Sequence, residues 1–126
     1  MPISLSASIY HHPDLETLEV AETDAGFRIL AQPRDLGRRP GRHSLGWRTV
    51  TVRDVPLYSP RARGYRPCTV TVRYLRHEDR ETGDLIRTLP PTICPARHLT
   101  RRLVEHIEAR ACAEPAQWTA TATGVP

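Results

Sequence analysis

Residues Trp47 to Arg76 read WRTVTVRDVPLYSPRARGYRPCTVTVRYLR, and the pentapeptide Thr-Val-Thr-Val-Arg occurs in them twice, at 49–53 and at 69–73. In each copy the valines fall on one side of an extended chain and the threonines and arginine on the other, the period-two pattern of a half-buried strand. Between the copies, Ser59-Pro60-Arg61-Ala62-Arg63-Gly64-Tyr65-Arg66-Pro67 can continue neither strand, since proline lacks the ladder N–H and glycine favours a turn. The stretch predicts a long β-hairpin with an arginine-rich tip. Five residues at a single spacing do not make a repeat architecture; the pentad reflects one amphipathic demand met twice.

Other segments extend the sheet on both sides of this hairpin. Ile3, Leu5, Ala7 and Ile9 alternate with serines and Tyr10, which predicts a strand ended by His11-His12-Pro13-Asp14. The runs 17–23 and 27–32, separated by Asp24-Ala25-Gly26, predict a hairpin in which Leu18, Val20 and Glu22 face Ala31, Ile29 and Phe27. Residues 33–46, with two prolines, three glycines and Arg38, Arg39 and Arg42, form a long connection without periodicity. Pro56 implies an edge strand or a bulge. After a charged turn at 78–84 and a short strand at 85–89, Pro95 suits the first position of a helix, and Leu99, Leu103, Ile107 and Ala111 recur every four residues to about Ala111. Burial should contribute roughly 1.5–3 kcal/mol for each large side chain on that stripe, so Leu103→Ala is expected to cost most. The expected fold is a single α+β domain over 1–112, a mostly antiparallel sheet of about six strands with one C-terminal amphipathic helix on one face. Residues 113–126, rich in Ala and Thr and containing two prolines, are expected to be a flexible tail, with Trp118 able to dock.

The chain has 126 residues, 39% hydrophobic and 25% charged, enough for one core without a disulfide staple. No uncharged apolar run approaches the ~18–20 residues that span a bilayer, so no membrane partner is expected. The N-terminus lacks the pattern of a signal peptide, and three widely spaced cysteines, Cys68, Cys94 and Cys112, suit free thiols; a cytoplasmic location is expected. All 18 basic residues are arginine, and Lys and Asn are absent, which GC-rich codons alone explain. Segregation of charge is a separate matter: residues 1–27 carry −5, residues 28–76 carry +10 and residues 77–126 carry −1.

Two basic loops therefore stand out. Arg61, Arg63 and Arg66 around Tyr65 suit contact with phosphates and stacking on a base, and Arg38, Arg39 and Arg42 could extend the footprint. In an up-and-down meander these loops would lie at opposite ends of the sheet, each beside an acidic turn; a different strand order could bring them together. Metal binding has little support: Cys94-x₃-His98 is one ligand pair, and Cys68, His77 and His106 supply no second one. Neither His11-His12-Pro13-Asp14 nor His77-Glu78-Asp79 has a nucleophile or orienting partner, and no hydrolase or nucleotide-binding motif occurs, so no catalytic residue, metal or cofactor is assigned. The expected function is a non-enzymatic binding protein whose arginine-rich loops contact an anionic partner, nucleic acid backbone first. The alternative is an assembly protein, such as a mobile-element accessory factor, that pairs with a protein partner or another copy through a sheet edge or its helix. A small hydrolase or nuclease ranks third.

Overall fold

The computed structural model describes residues 2–113; residues 114–126 of the expected tail, Trp118 among them, and the side chains of Cys112 and Ala113 lie outside what it describes. Two long strands, β4 (Arg42–Ser59) and β5 (Gly64–Asp79), form the hairpin. The two pentads pair with each other, centred on Thr51↔Thr71, so that Val50 meets Val72 and Val52 meets Val70. Val52, Val70 and Val72 are fully buried. On the opposite face the hydroxyls of Thr51 and Thr71 lie 3.4 Å apart.

The hairpin is longer at its tip than expected, because Pro67, placed in the connection by the sequence, sits with Pro56 in one β-bulge. Val55 and Pro56 on β4 oppose Pro67 alone on β5 between the pairs Asp54↔Cys68 and Leu57↔Arg66, where no ladder N–H is required of either proline. Tyr65 and Arg66 therefore belong to β5, and the tip is only the four residues 60–63.

β1 (Ile3–Leu5), β2 (Leu15–Thr23) and β3 (Gly26–Pro33) add to one side. The expected register holds at Val20↔Ile29 and Glu22↔Phe27, while a bulge between Thr17 and Glu19 displaces Leu18. The turn needs glycine: Gly26 has φ +126°, and a Cβ there would lie 2.4 Å from the Pro67 carbonyl oxygen. The first strand is shorter than its alternation suggests. The Ser6 hydroxyl accepts the Ser8 N–H, and the Ser6 carbonyl accepts the Ile9 N–H, which turns residues 7–9 into a 3-10 helix and leaves Ile9 exposed.

The sheet is not a meander. β3 pairs with β5 in parallel, from Phe27↔Cys68 to Ala31↔Val72, so β5 lies between β3 and β4 and the order is β1-β2-β3-β5-β4. Residues 34–41 cross over β5 to reach β4. Beneath this crossover His77 is buried, its Nε2–H donating to the Leu36 carbonyl at 2.8 Å. β6 (Leu85–Arg87) pairs with the far end of β5, and two-residue strands β7 (Ile93–Cys94) and β8 (Leu99–Thr100) lie beyond β4, joined to it at Arg53↔Leu99.

The helix α1 (Arg101–Ala113) begins six residues later than a start at Pro95 would place it. Residues 95–98 make a separate turn, closed by His98 N–H to the Pro95 carbonyl, and His98 at φ 55° is left-handed, which stops a helix from propagating through it. Thr100 then caps the helix: its Oγ1 accepts the Leu103 N–H at 3.2 Å. Leu103 is fully buried, while Arg101, Glu105 and Glu108 are exposed. No helix among the described residues is long and apolar enough to cross a membrane.

Candidate nucleic-acid interface

The seven residues singled out in the sequence fall into two groups at opposite ends of β5, which runs for 16 residues, roughly 50 Å at 3.3 Å per residue. Arg42 pairs with Asp79 at one end and Ser59 with Gly64 at the other. Leaving the meander did not unite the basic loops, because the long hairpin itself holds them apart.

At the crossover end the arginines are mostly occupied within the fold. Arg39 forms a 2.6 Å ion pair with Asp35, whose carboxyl is held below its usual range first by that guanidinium and then by the Gly37 N–H. Arg42 donates to the Gly37 carbonyl at 2.8 Å. These bonds shape a crossover that reaches over β5 in eight residues. Arg38 is exposed.

At the hairpin tip the arginines divide. Arg66 is a brace: its guanidinium donates to the Thr23 carbonyl at 3.1 Å and to the Asp24 carbonyl, and approaches the buried Glu22 carboxylate at 3.4 Å. Ser59 completes this root, donating to Glu22 at 2.6 Å and accepting the Ala62 N–H at 3.1 Å. Arg61 and Arg63 are exposed and make no side-chain hydrogen bond or ion pair among the described residues, although Arg61 shares a concavity of about 550 Å³ with Glu22 and Asp24. Tyr65 is 72% exposed, and Tyr58, its cross-strand partner, is 54% exposed. Their rings meet edge to face with centroids 5.6 Å apart. Tyr58 escaped the sequence reading because the loop was drawn from Ser59; strand continuity through the Pro56 bulge is what pairs it with Tyr65.

By alternation along β5, Tyr65 shares a face with Thr69, Thr71 and Arg73, opposite the buried Cys68, Val70 and Val72. This second face of the sheet is open. Trp47, 44% exposed, lies under the Arg73 guanidinium at 4.8 Å, and Arg73 also donates to Gln32 at 2.9 Å.

The covered side holds the densest polar cluster. Asp54, fully buried, accepts hydrogen bonds from Arg102 Nε at 2.8 Å and Nη2 at 2.6 Å, from Thr100 Oγ1 at 2.7 Å, from the Val55 N–H at 2.8 Å and from the Tyr10 hydroxyl. Burial alone would raise its pKa, yet the bonds from Arg102, Tyr10 and Thr100 outweigh it and hold the carboxylate below its usual range. Burial and the Asp54 charge push Tyr10 far above its usual value, so it remains a donor. The arrangement pins the start of α1 to the sheet. A signal was present: Val50, Val52 and Asp54 share one face of an alternating strand, and a carboxylate at a core position requires a cationic partner.

The histidine–carboxylate pairs noted in the sequence do not form. His12 is buried, its Nδ1 accepting the Asp14 N–H at 3.1 Å, while the Asp14 carboxylate takes the Thr92 hydroxyl at 2.5 Å. Cys68 and Cys94 are free thiols, and burial pushes Cys68 up to about 12. No three His, Cys, Asp or Glu side chains gather to hold a metal among the described residues. Compared with known proteins, the chain matches no protein-family model, no curated protein and no solved structure.

Proposed function

We propose that the protein binds nucleic acid backbone through the tip of its β4–β5 hairpin, with Arg61 and Arg63 meeting phosphates and Tyr58 and Tyr65 offering ring surfaces to bases. The observation that carries this reading is the exposed tyrosine pair beside two arginines that have no hydrogen-bond or ion-pair partner among the described residues, on a hairpin end braced by Arg66, Glu22 and Ser59. Rings of this size left half or more in water lose burial energy unless a partner covers them, and bases stack on them without regard to sequence. Arg66 acts by positioning the tip, and Arg39 and Arg42 by shaping the crossover. Arg38 lies too far along the sheet to join the same short footprint.

Fluorescence anisotropy with a labelled oligonucleotide at two salt concentrations tests this. Replacing Arg61 by Ala and Arg63 by Gly together should flatten the slope of log K against log salt by about 1.4 on single strands, two contacts at 0.7 each. An unchanged slope, or no binding by the parent protein at low salt, rejects the reading.

One observation favours a second reading, assembly through a sheet edge. Beyond β5, the described residues of β4 pair only at Arg53, so the edge from 42 to 50, with Leu45 and Trp47 exposed, is open to another strand. The bulge at Gly46, φ +98°, blunts it. Light scattering that returns a monomer mass at high protein concentration would dispose of self-pairing.

A further inference from the structure

The open face carries a second cluster of unpaired cations, between the hairpin and the turn that precedes α1. Arg53 projects from this face beside Thr69, its cross-strand partner, and Leu99 of β8 lies on its other side. Here a shallow concavity of about 400 Å³ is lined by Thr51, Arg53, Thr69, Arg97 and His98, with Val52 and Leu99. No carboxylate lines it. Neither Arg53 nor Arg97 makes a side-chain hydrogen bond or ion pair among the described residues. The turn that carries Arg97 is fixed in place: the Arg53 N–H donates to the His98 carbonyl at 2.8 Å, and His98 Nδ1–H donates to the Thr51 carbonyl at 3.2 Å. That leaves His98 Nε2 without a partner among the described residues.

From these observations we infer that the Arg53–Arg97–His98 concavity is a phosphate subsite, and that the ligand is a single strand laid along the open face from the hairpin tip to this pocket. The inference rests on the tip reading and adds to it a second site and a ligand class. Tyr65 and Thr69 are four residues apart on the same face of β5, about 13 Å along the strand, a span within reach of a short single-stranded segment. The charge on the face supports the path. Glu16 and Glu19 lie toward β2, where Glu16 accepts from Gln32, while Arg53 and Arg97 lie on the β4 side, in line with the tip. Two guanidinium groups and two threonine hydroxyls supply donors to phosphate oxygens, and the tyrosines supply ring faces that only unstacked bases can use. A duplex keeps its bases paired and stacked, so their faces are closed to the tyrosine rings.

The test compares anisotropy of a fluorescein-labelled oligothymidylate of about 15 nucleotides with that of a duplex of equal length. The intact chain is measured beside Arg53→Gln/Arg97→Gln and the tip double variant, with thermal melts to confirm folding. The pocket variant should bind the oligothymidylate on the order of tenfold more weakly and lose about 1.4 from the salt slope, with the parent preferring the single strand. Arg97→Glu, at an exposed turn position, should weaken binding further than Arg97→Gln. If the tip variant loses affinity and the pocket variants do not, the second subsite is overturned while the tip reading stands. Equal or tighter duplex binding overturns the single-strand assignment. No binding by the parent overturns both.

Discussion

Arg102 and Arg63 show two uses of one residue type. Arg102 is half buried at the first turn of α1, where Nε and Nη2 of its guanidinium meet Asp54 and the Tyr10 ring lies 5.6 Å from it. Arg63 stands in water at the hairpin tip with a left-handed backbone, φ 54°, beside an exposed tyrosine pair. Around Asp54 the donors of Arg102 Nε and Nη2, Thr100, Tyr10 and Val55 all meet the carboxylate, and its desolvation is offset by these bonds within the fold. Around Arg63 nothing has been desolvated, and a partner can still supply the acceptors. An arginine count alone hides this distinction, because the chain uses arginine for all its basic positions. Surroundings separate these cations: Arg39, Arg42, Arg66 and Arg102 are held within the fold, whereas Arg53, Arg61, Arg63 and Arg97 make no side-chain hydrogen bond or ion pair among the described residues, and the binding proposal rests on them.

The largest expected effect is at the closed end. Asp54→Ala leaves Arg102 half buried without its counter-ion and should cost about 3–5 kcal/mol in denaturant unfolding. Leu103→Ala, in the first turn of α1, should cost about 2–5 kcal/mol through the cavity it leaves. This substitution remains severe, but it no longer heads the order, since the burial of Asp54 was not apparent from the apolar stripe. Tyr65→Ala should weaken oligonucleotide binding by about 1–3 kcal/mol with little change in stability. Arg63→Gly should do the reverse of an ordinary damaging change: relief of the left-handed backbone, about 1–2 kcal/mol, exceeds the cost of glycine's greater freedom in the unfolded chain, so stability holds or rises slightly while affinity falls. Were Asp54→Ala to be tolerated, or Arg63→Gly to unfold the chain, the division between the two regions would be wrong.

The closed end also sets a pH dependence. Burial, and then the Arg102 charge, lowers the pKa of His12 below 6.5, so its contribution is present above pH 6.5 and is lost as pH falls through the folded value. Asp54, held below 3.8, adds a second loss further down. On the alkaline side, Cys68 is raised from 9.0 to about 12 and Tyr10 is raised above 10.0, so stability is complete below pH 9 and falls as pH rises beyond it. Thermal melts across the range should show a plateau between about pH 6.5 and 9, with Tyr10→Phe removing part of the alkaline fall.

Much of the hairpin was readable from residues 47–76, including the valine face and a bulge at Pro56, because alternation and proline chemistry are local. The Asp24-Ala25-Gly26 turn was readable for the same reason. What escaped depended on contacts between distant segments. Parallel pairing of β3 with β5 follows from an eight-residue crossover that packs Leu36 over His77, which no local pattern announces. Pro95 offered a plausible helix start, and the chain instead begins α1 at the Thr100 cap, after a left-handed His98. The tip arginines were visible as a cluster, but the division of Arg66 from Arg61 and Arg63 depends on where Glu22 and the Asp24 turn come to rest.

The central claim is that binding belongs to one end and one face of the hairpin. Backbone amide shifts in a nitrogen-15 labelled sample, followed during titration with an oligothymidylate, test it most directly. The account predicts perturbations at residues 57–66, at Arg53 and at Arg97 and His98, with the crossover at 34–41 and the exposed side of α1 unmoved. Perturbations centred on Arg38, Arg39 and Arg42, or on α1, would contradict it.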